Sequence, residues 1–203
     1  MAKVVFDITT SLDGFVAGPN DSLELPLGEG GEKLHEWVYG LASWREPHGL
    51  EGGETGRDSD VLEEAMGNLG AFVVGRRMFD LAQGWGEEPP FHAPVFVLTH
   101  EARDPLEKKG GTTFTFVNDG IESALERAKA AAGGKDVGIA GGANTIQQYM
   151  SAGLIDEFQI HVAPLLLGGG VRLFDQAPAD LELETTRVLE SPRVTHLKFR
   201  VVK

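Results

Sequence analysis

A glycine pair at residues 141–142 marks the stretch of this chain best suited to chemistry. An apolar run over 137–140 precedes the pair, and Ile146, Tyr149 and Met150 follow it at helical spacing. The pattern predicts a buried strand that turns directly into a helix. Glycine lets a ligand approach the backbone, and the first N–H groups of a helix favour an anion such as a phosphate. Glycine turns of this kind also occur where only tight packing is needed.

Two further predicted strands end in residues that suit a phosphate, since guanidinium, hydroxyl and imidazole groups all donate hydrogen bonds to it. In an open sheet with parallel strands, ligands bind beyond the carboxyl ends of the strands, so we expect the three turns to meet at one edge. The alternative is that Arg76 and Arg77 are ordinary solvated surface residues. Thr99 would then merely end a strand, and His100 would be a surface residue. The residues are Gly75, Arg76 and Arg77, then Leu98, Thr99 and His100, and finally Ala140, Gly141, Gly142, Ala143, Asn144 and Thr145.

Length and composition restrict the class of protein. A chain of 203 residues without an evident linker predicts one domain over 1–203. Cysteine is absent, which excludes disulfides and thiolate metal sites, and no two histidines have helical metal spacing, so no metal site is predicted. No long apolar run is present, and we expect a soluble, cytoplasmic protein. The net charge of −13 argues against nucleic acid or an anionic membrane as partner.

The order of predicted elements indicates an α/β fold. Strands and helices alternate first, and the two last segments, 182–189 and 194–202, are strands with no helix between them. This order predicts a mixed, mainly parallel sheet flanked by helices, with antiparallel strands at the C-terminal end. The polar loop 45–58 is a candidate lid or a disordered insertion. The other predicted strands are 3–9, 71–75, 94–99, 112–117 and 155–162, and the helices are 32–44, 58–68, 76–80 and one capped by Asp119 with Glu122.

Asp7 is out of place in the middle of an apolar strand, because an unpaired buried carboxylate is costly. It is either paired with a neighbouring group or used as a contact or proton relay for a substrate. The alternation over 155–162 predicts a strand with one dry face and with His161 on the polar side. We interpret His161 and His35 as structural histidines, and His196 offers nothing specific. The dinucleotide fingerprint Gly-x-Gly-x-x-Gly is absent, which disfavours a standard dinucleotide fold.

Together these motifs resemble the dihydrofolate reductase-like superfamily, and in particular small proteins related to the C-terminal reductase domain of riboflavin biosynthesis. The resemblance covers nearly the whole chain and implies a mixed, mainly parallel sheet flanked by helices, NADPH as cofactor, and a homodimer. The motifs are Ser11–Ala17, Gly75–Asp80, Val97–His100, Ala140–Ala143, and Asp156-Glu157 with Pro164–Gly168.

The resemblance also implies a role for each turn. Arg76 and Arg77 match positions that hold the cofactor phosphates, and Thr99 with His100 matches the pocket for the adenosine 2′-phosphate. The run from Gly141 to Thr145 matches the pyrophosphate turn, with Gln148 one helical step further and a cis peptide bond between the glycines. The positions that line the nicotinamide are Thr9, Val16 and Ala17.

The substrate side departs from folate reductases. The carboxylate that those enzymes carry on the first long helix falls here at Leu34, and neither Glu32 nor Glu36 has the right spacing. The resemblance therefore implies an NADPH-dependent reductase of another small pteridine- or pyrimidine-like heterocycle, with Asp7 as the candidate catalytic residue. A riboflavin-pathway reductase of a ribosylated pyrimidine is a narrower version of this prediction. The alternative is an NADP(H)-binding module without turnover.

Overall fold

The computed structural model describes residues 2–203, and its main element is a nine-stranded sheet. The strand order is β10-β11-β8-β1-β7-β3-β4-β6-β5, and the six central strands from β8 to β6 run parallel. A separate two-stranded sheet pairs β2 with β9. The mixed, mainly parallel sheet is confirmed. The strands are β1 (Val4–Ser11), β2 (Phe15–Ala17), β3 (Leu69–Gly75), β4 (Pro94–Leu98), β5 (Leu106–Glu107), β6 (Thr113–Val117), β7 (Asp136–Gly141), β8 (Glu157–Ala163), β9 (Val171–Arg172), β10 (Leu183–Glu190) and β11 (Thr195–Val201).

Helices cover both faces of the sheet, which is why the central strands are apolar on both sides. On β3, Ala71 and Val73 pack in the larger core cluster with α5 and α6, while Phe72 and Val74 pack in a second cluster with α4. The helices are α1 (Glu36–Tyr39), α2 (Ala42–Arg45), α3 (Arg57–Gly67), α4 (Arg76–Leu81), α5 (Ile121–Ala131) and α6 (Ala143–Ser151). Within residues 2–203 no helix has the length and apolarity needed to span a membrane.

The single helix predicted over 32–44 is wrong. A 3₁₀ turn at Gly31–His35 leads into α1, and Leu41 is extended before α2 begins. Leu41 forms a β-bridge with Glu54, and backbone bonds join Ala42 N to Glu54 O and Glu54 N to Gly40 O. These bonds hold Leu41 in an extended conformation, which separates α1 from α2. They also hold the loop 45–58 against the protein, so it is not a disordered insertion.

Two other predictions need correction. The capping box at Asp119 is wrong, because Gly120 is the N-cap of α5 and the Asp119 carboxylate accepts instead from Arg127 Nη2 at 2.8 Å. The strand over 155–162 does not have one polar face, since Gln159 and His161 are both buried. The antiparallel C-terminal strands are confirmed: β10 pairs with β11, and β11 pairs with β8.

Replacing Gly70 by Ala is expected to lower the free energy of unfolding by about 1–3 kcal/mol, because a Cβ there has no room. It would lie 2.2 Å from the backbone oxygen of Ala132, at the C-terminal end of α5, and backbone atoms cannot move aside easily. Gly67→Ala is the matched control, since its Cβ would meet nothing within 4 Å, and it should leave stability unchanged or slightly raised. Urea unfolding of both variants tests this, and equal stabilities would contradict it.

Candidate functional site

The three predicted turns lie on neighbouring strands and form one continuous edge, here called the strand-end rim. Val74 at the end of β3 pairs with Gly141 on β7, and Gly75 pairs with Leu98 on β4. A Cβ built on Gly75 would lie 2.5 Å from Thr145 Oγ1, which shows how closely β3 approaches the start of α6. The glycine turn and the twin-arginine turn are therefore neighbours.

The helix α6 begins directly at the rim with a free end. Its N-cap residue is Gly142, and in residues 2–203 no side chain caps it. The peptide bond between Gly141 and Gly142 is cis, as the resemblance implied. A Cβ built on Gly142 would meet nothing within 4 Å, so open space lies beside the backbone there. Free N–H groups facing open space at the positive end of a helix suit a pyrophosphate, so these residues fit NADPH.

Arg76 joins two of the turns. Its Nη1 donates to Thr99 Oγ1 at 3.2 Å, and its Nε donates to the Asp80 carboxylate at 2.8 Å. Glu101 adds a third contact at 3.2 Å. These hydrogen bonds, first that to Asp80, raise the pKa of Arg76, so its positive charge stays at the rim. These contacts hold the guanidinium in place, and the Arg76 side chain is 27% exposed, which leaves part of it open to a ligand.

The remaining rim residues are more exposed. Arg77 is 69% exposed and pairs with Asp21 at 2.8 Å, so it ties the loop after β2 to α4. His100 is exposed at the end of the β4 turn. On α6, Gln148 Nε2 donates to Asn144 Oδ1 at 2.7 Å. None of these contacts tests a cofactor role, which stays a prediction for each of them.

The positions predicted to line the nicotinamide lie on β1 and β2. Thr9 is buried, and its hydroxyl accepts from Trp37 Nε1 at 3.3 Å. Val16 and Ala17 are partly exposed on the short β2, which is held by its pairing with β9. Gln147 on α6 donates to the backbone oxygens that end β9, at 3.0 Å each. The side-chain amide of Gln147 therefore links α6, which follows the glycine turn, to β9, the strand that pairs with β2.

Asp13 fixes the turn between β1 and β2. Its carboxylate accepts from Ser11 Oγ, from Leu167 N at 3.1 Å and from Gly168 N at 2.7 Å. The hydrogen bond from Ser11 is the main cause that lowers the pKa of Asp13 to about 2, and the two backbone donors add to it. The turn is therefore attached to the segment that leads into β9.

The Asp13 contacts predict a pH-dependent stability difference between the wild type and Asp13→Asn. A carboxylate whose pKa is depressed on folding stabilises the folded state above its unfolded value, near 3.8, and this is lost as the pH falls through about 2. Wild type should therefore be the more stable at neutral pH, and the gap should close in acid. Urea unfolding at a series of pH values measures the gap, and a gap that stays constant would contradict this explanation.

A chain of polar groups begins at Asp7 in the middle of β1 and continues through two buried histidines. Asp7 Oδ1 lies 2.6 Å from His161 Nε2, and the Nδ1 atoms of His161 and His196 lie 2.6 Å apart. His196 Nε2 then lies 3.2 Å from Asp58 Oδ1 at the start of α3. Both imidazoles are buried, while the Asp7 side chain is 24% exposed. The group is called the Asp7–Asp58 chain below.

The register of three strands builds this chain. Thr9 on β1 is level with His161 on β8, which is level with His196 on β11, so the three side chains form one row across the sheet. Trp37 covers the row, with its ring centroid 4.9 Å from that of His161 and 5.4 Å from that of His196. In residues 2–203 no three His, Asp or Glu side chains are grouped as a metal site.

A second row fixes the orientation of Asp7. Gln159 Nε2 donates to Asp7 Oδ2 at 2.8 Å, and Gln159 Oε1 accepts from Arg187 Nη2 at 2.7 Å. Burial raises the pKa of Asp7, but the charge of His161 and the hydrogen bonds from His161 and Gln159 outweigh it and lower the pKa overall. Asp7 is therefore an ionised, well-oriented carboxylate.

Sequence reasoning singled out Asp7 but missed its partners. From the sequence His161 is interpreted as structural, and neither His196 nor Asp58 has a predicted role. The available signal was that each histidine stands inside a β-rich segment, where a polar side chain needs a partner. Leu34, which the resemblance matches to the folate-reductase acid, is fully buried, and both Glu32 and Glu36 are exposed. No carboxylate on this helical segment can replace Asp7.

Comparisons with known proteins bear on the fold and the family of this chain. The uncharacterized protein YyaP of Bacillus subtilis (strain 168) is 24% identical over 202 residues, covering 93% of this chain and 90% of YyaP. A candidate riboflavin biosynthesis protein from Shewanella sp. PV-4 superposes with a TM-score of 0.69 at 23% identity, covering 99% of each chain. Dihydrofolate reductase from Enterococcus faecalis, complexed with NADP(H), superposes with a TM-score of 0.59 at 12% identity over 99% of this chain and 97% of its own.

The two superpositions show that the fold is dihydrofolate reductase-like. The model of the family described as the RibD C-terminal domain matches residues 2–197, nearly the full length of the chain. The motifs of the glycine turn, the twin-arginine turn and the β4 turn all lie inside the matched range. The protein belongs to the RibD C-terminal domain family.

Proposed function

We propose that this protein is an NADPH-dependent reductase of a small heterocycle, pteridine- or pyrimidine-like. The observation that carries the proposal is the strand-end rim, where the open start of α6, the Arg76 guanidinium and Thr99 stand on three neighbouring strands. Such a rim suits an extended ligand with phosphates at two points, as NADPH has. When bound, NADPH would supply the hydride.

The rim residues would hold the cofactor by position. Backbone N–H groups of Ala143 and Asn144 at the start of α6 would bind the pyrophosphate, and Arg76 with Thr99 would bind the 2′-phosphate. The overall charge of −13 repels a polyanion, so a preorganised local cluster of donors is needed here. The carboxylates of Asp80 and Glu101 hold the Arg76 guanidinium in place. On cofactor binding, Arg76 would give up part of these contacts and donate to the phosphate instead.

Asp7 would face the substrate. It is the charged side chain in the middle of β1, two residues before Thr9 on the same face of the strand, and part of it is exposed. Reduction of a heterocyclic double bond needs a proton besides the hydride, and a positioned carboxyl group can transfer it. Glu32 and Glu36, the acids near Leu34, are exposed and lack the spacing of the folate-reductase acid, so Asp7 on β1 is the candidate for this task.

The second candidate is an NADP(H)-binding module without turnover. The buried Leu34 favours it, because the acid used by folate reductases has been replaced by an apolar core residue. The Asp7–Asp58 chain favours the reductase, because a paired carboxylate and two buried histidines have no evident use in cofactor binding alone. The resemblance that implies NADPH also implies a homodimer, which remains part of the proposal.

Two measurements separate the candidates. Calorimetry should detect NADPH binding, with NADH weaker by about 10–100-fold because a charge-assisted contact to the 2′-phosphate is worth about 1.5–3 kcal/mol. The decay of the nicotinamide absorbance with a panel of pteridines and pyrimidines, including ribosylated forms, then tests turnover. Binding without decay for any heterocycle supports the module. Absence of NADPH binding would refute both.

A further inference from the structure

The Asp7–Asp58 chain has a protonation state that its hydrogen bonds dictate. It contains three contacts: Asp7 to His161 at 2.6 Å, His161 to His196 at 2.6 Å, and His196 to Asp58 at 3.2 Å. Each contact needs one proton. The two ends are carboxylates, which only accept hydrogen bonds when they are ionised.

With both carboxylates ionised, the two rings must supply all three protons. Two neutral imidazoles carry one N–H each and can satisfy only two contacts, so one contact would join two bare acceptors. One imidazolium and one neutral ring carry three N–H groups and satisfy every contact. The geometry therefore matches a histidine pair that binds one extra proton.

The surroundings assign the extra proton to His161. Burial is the main cause that lowers the pKa of His196, and the hydrogen bond to Asp58 acts in the opposite direction. Both ring nitrogens of His161 lie 2.6 Å from their partners, whereas His196 Nε2 lies 3.2 Å from Asp58, so His161 is the ring placed to donate from both nitrogens. The Trp37 ring, 4.9 Å from His161, adds an aromatic neighbour that favours a cation.

The other groups packed around His161 agree with this assignment. His35, on the 3₁₀ turn before α1, has a buried Nδ1 with no hydrogen-bond partner among residues 2–203, and burial is the main cause that lowers its pKa. His35 is therefore neutral. In the next row Lys198 and Arg187 share the single carboxylate of Glu64, and the ionised Asp7 of that row supplies the second negative charge that balances them.

We propose that the His161–His196 pair stores one proton and that His161 delivers it through Asp7 to the substrate during reduction. This rests on the proposed reductase function. The hydride brings two electrons and one hydrogen to one atom of the substrate double bond, and the stored proton goes to the other atom. The proton passes from His161 Nε2 to Asp7 Oδ1 and from the Asp7 carboxyl group to a substrate nitrogen or oxygen.

After delivery the contact between Asp7 and His161 lacks its proton, while the other two contacts of the chain keep theirs. His161 keeps its Nδ1–H, which donates to His196 Nδ1, and His196 Nε2–H still donates to Asp58. Water that reaches the exposed part of Asp7 after product release restores the proton. The store lets the reaction proceed while cofactor and substrate exclude water from the site.

Asp58 is the positioning residue that holds the proton in the pair. It is the second residue of α3, where the helix N-terminus favours an ionised carboxylate, and it lines a cleft of about 320 Å³ that is open to solvent. An ionised Asp58 forces the His196 proton onto Nε2, so His196 Nδ1 accepts, and His161 has to donate from both nitrogens.

The substitution Asp58→Asn removes the stored proton without breaking a contact. The Asn amide would donate to His196 Nε2, His196 Nδ1–H would donate to His161 Nδ1, and His161 Nε2–H would still donate to Asp7. Two neutral rings then satisfy all three contacts. Asp60→Asn is the matched control, because Asp60 lies on the same turn of α3 but is exposed.

Nitrogen-15 NMR of the imidazoles in the ligand-free protein tests the store without a substrate. At about pH 7 we expect three N–H groups on the His161–His196 pair in wild type and Asp60→Asn, and two in Asp58→Asn. Two N–H groups in wild type overturn the proposal even if Asp58→Asn does not fold. Three in a folded Asp58→Asn also overturn it, because another group would then hold the proton.

Turnover tests the delivery separately. With a heterocycle that is reduced by NADPH, Asp58→Asn should lower kcat by at least about tenfold and alter its pH profile, with the KM for NADPH and the Asp60→Asn control unchanged. Unchanged kcat in Asp58→Asn overturns the delivery. If no heterocycle is reduced, the reductase proposal fails, and the NMR count still decides whether the pair stores a proton.

Discussion

Replacing Asp7 by Asn is expected to lower kcat by about 10²–10⁴-fold, the usual contribution of a positioned proton donor. The amide keeps the shape of the side chain but cannot hand on a proton. The effect should fall on kcat, because Asp7 lies on β1, whereas the rim residues that would hold the phosphates follow β3, β4 and β7. The nicotinamide absorbance assay with a reducible heterocycle measures it, and calorimetry should show unchanged NADPH binding.

The control for Asp7→Asn is Asp60→Asn, which removes the same charge from an exposed position on α3. It should turn over like the wild type. If Asp7→Asn also turned over at the wild-type rate, Asp7 would be only the partner that neutralises His161, and the proton would have to come from another group. A parallel loss of NADPH affinity would instead indicate that the change disturbs the fold of β1.

Replacing Arg76 by Gln is expected to weaken NADPH binding by about 10–100-fold and NADH binding much less. One charge-assisted contact to a phosphate is worth about 1.5–3 kcal/mol, and 1.4 kcal/mol corresponds to tenfold. NADPH and NADH differ only in the 2′-phosphate, so the difference between the two affinity changes measures the contact of Arg76 with that phosphate. In this proposal Arg76 and Thr99, which share a hydrogen bond, both bind the 2′-phosphate. Calorimetric titration of wild type and variant with both cofactors measures the change.

Arg127→Gln is the control for this substitution. Arg127 is also ion-paired on the surface, with Asp119 at 2.8 Å, but it lies on α5 rather than at the rim. The two variants lose similar surface ion pairs, which contribute little to stability. Equal NADPH affinities for Arg76→Gln and wild type would show that Arg76 does not contact the 2′-phosphate, and Arg77 would become the next candidate.

Much of the strand-end rim was predictable because each turn is encoded by contiguous residues. A buried apolar run followed by Gly75 and two arginines predicts a strand that opens into a helix, and β3 and α4 follow that pattern. The same reasoning predicts β7 and α6 around the glycine pair. The rule that parallel strands present their carboxyl ends at one edge then brought the turns together. Their roles in binding a cofactor are still predictions.

Other features depended on contacts that no local pattern contains. The predicted helix over 32–44 had good apolar spacing, yet backbone bonds from Glu54 to residues 40–42 interrupt it. Strand alternation placed His161 on a polar face, because a buried polar face and a solvated one look alike in sequence. The face is dry because Trp37 and the segments around it cover it.

By itself the sequence determined the class of fold, the three strand-end turns and the anomaly of a carboxylate inside β1, since all of these follow from residue type and short-range periodicity. Only the tertiary structure decided what Asp7 is joined to. His161 and His196 are 35 residues apart, and Asp58 is 138 residues from His196. Their contact depends on the register of β1, β8 and β11 and on the placement of α3 over that row. Register and helix placement are set by packing over the whole molecule, because many weak apolar contacts together select one alignment of strands.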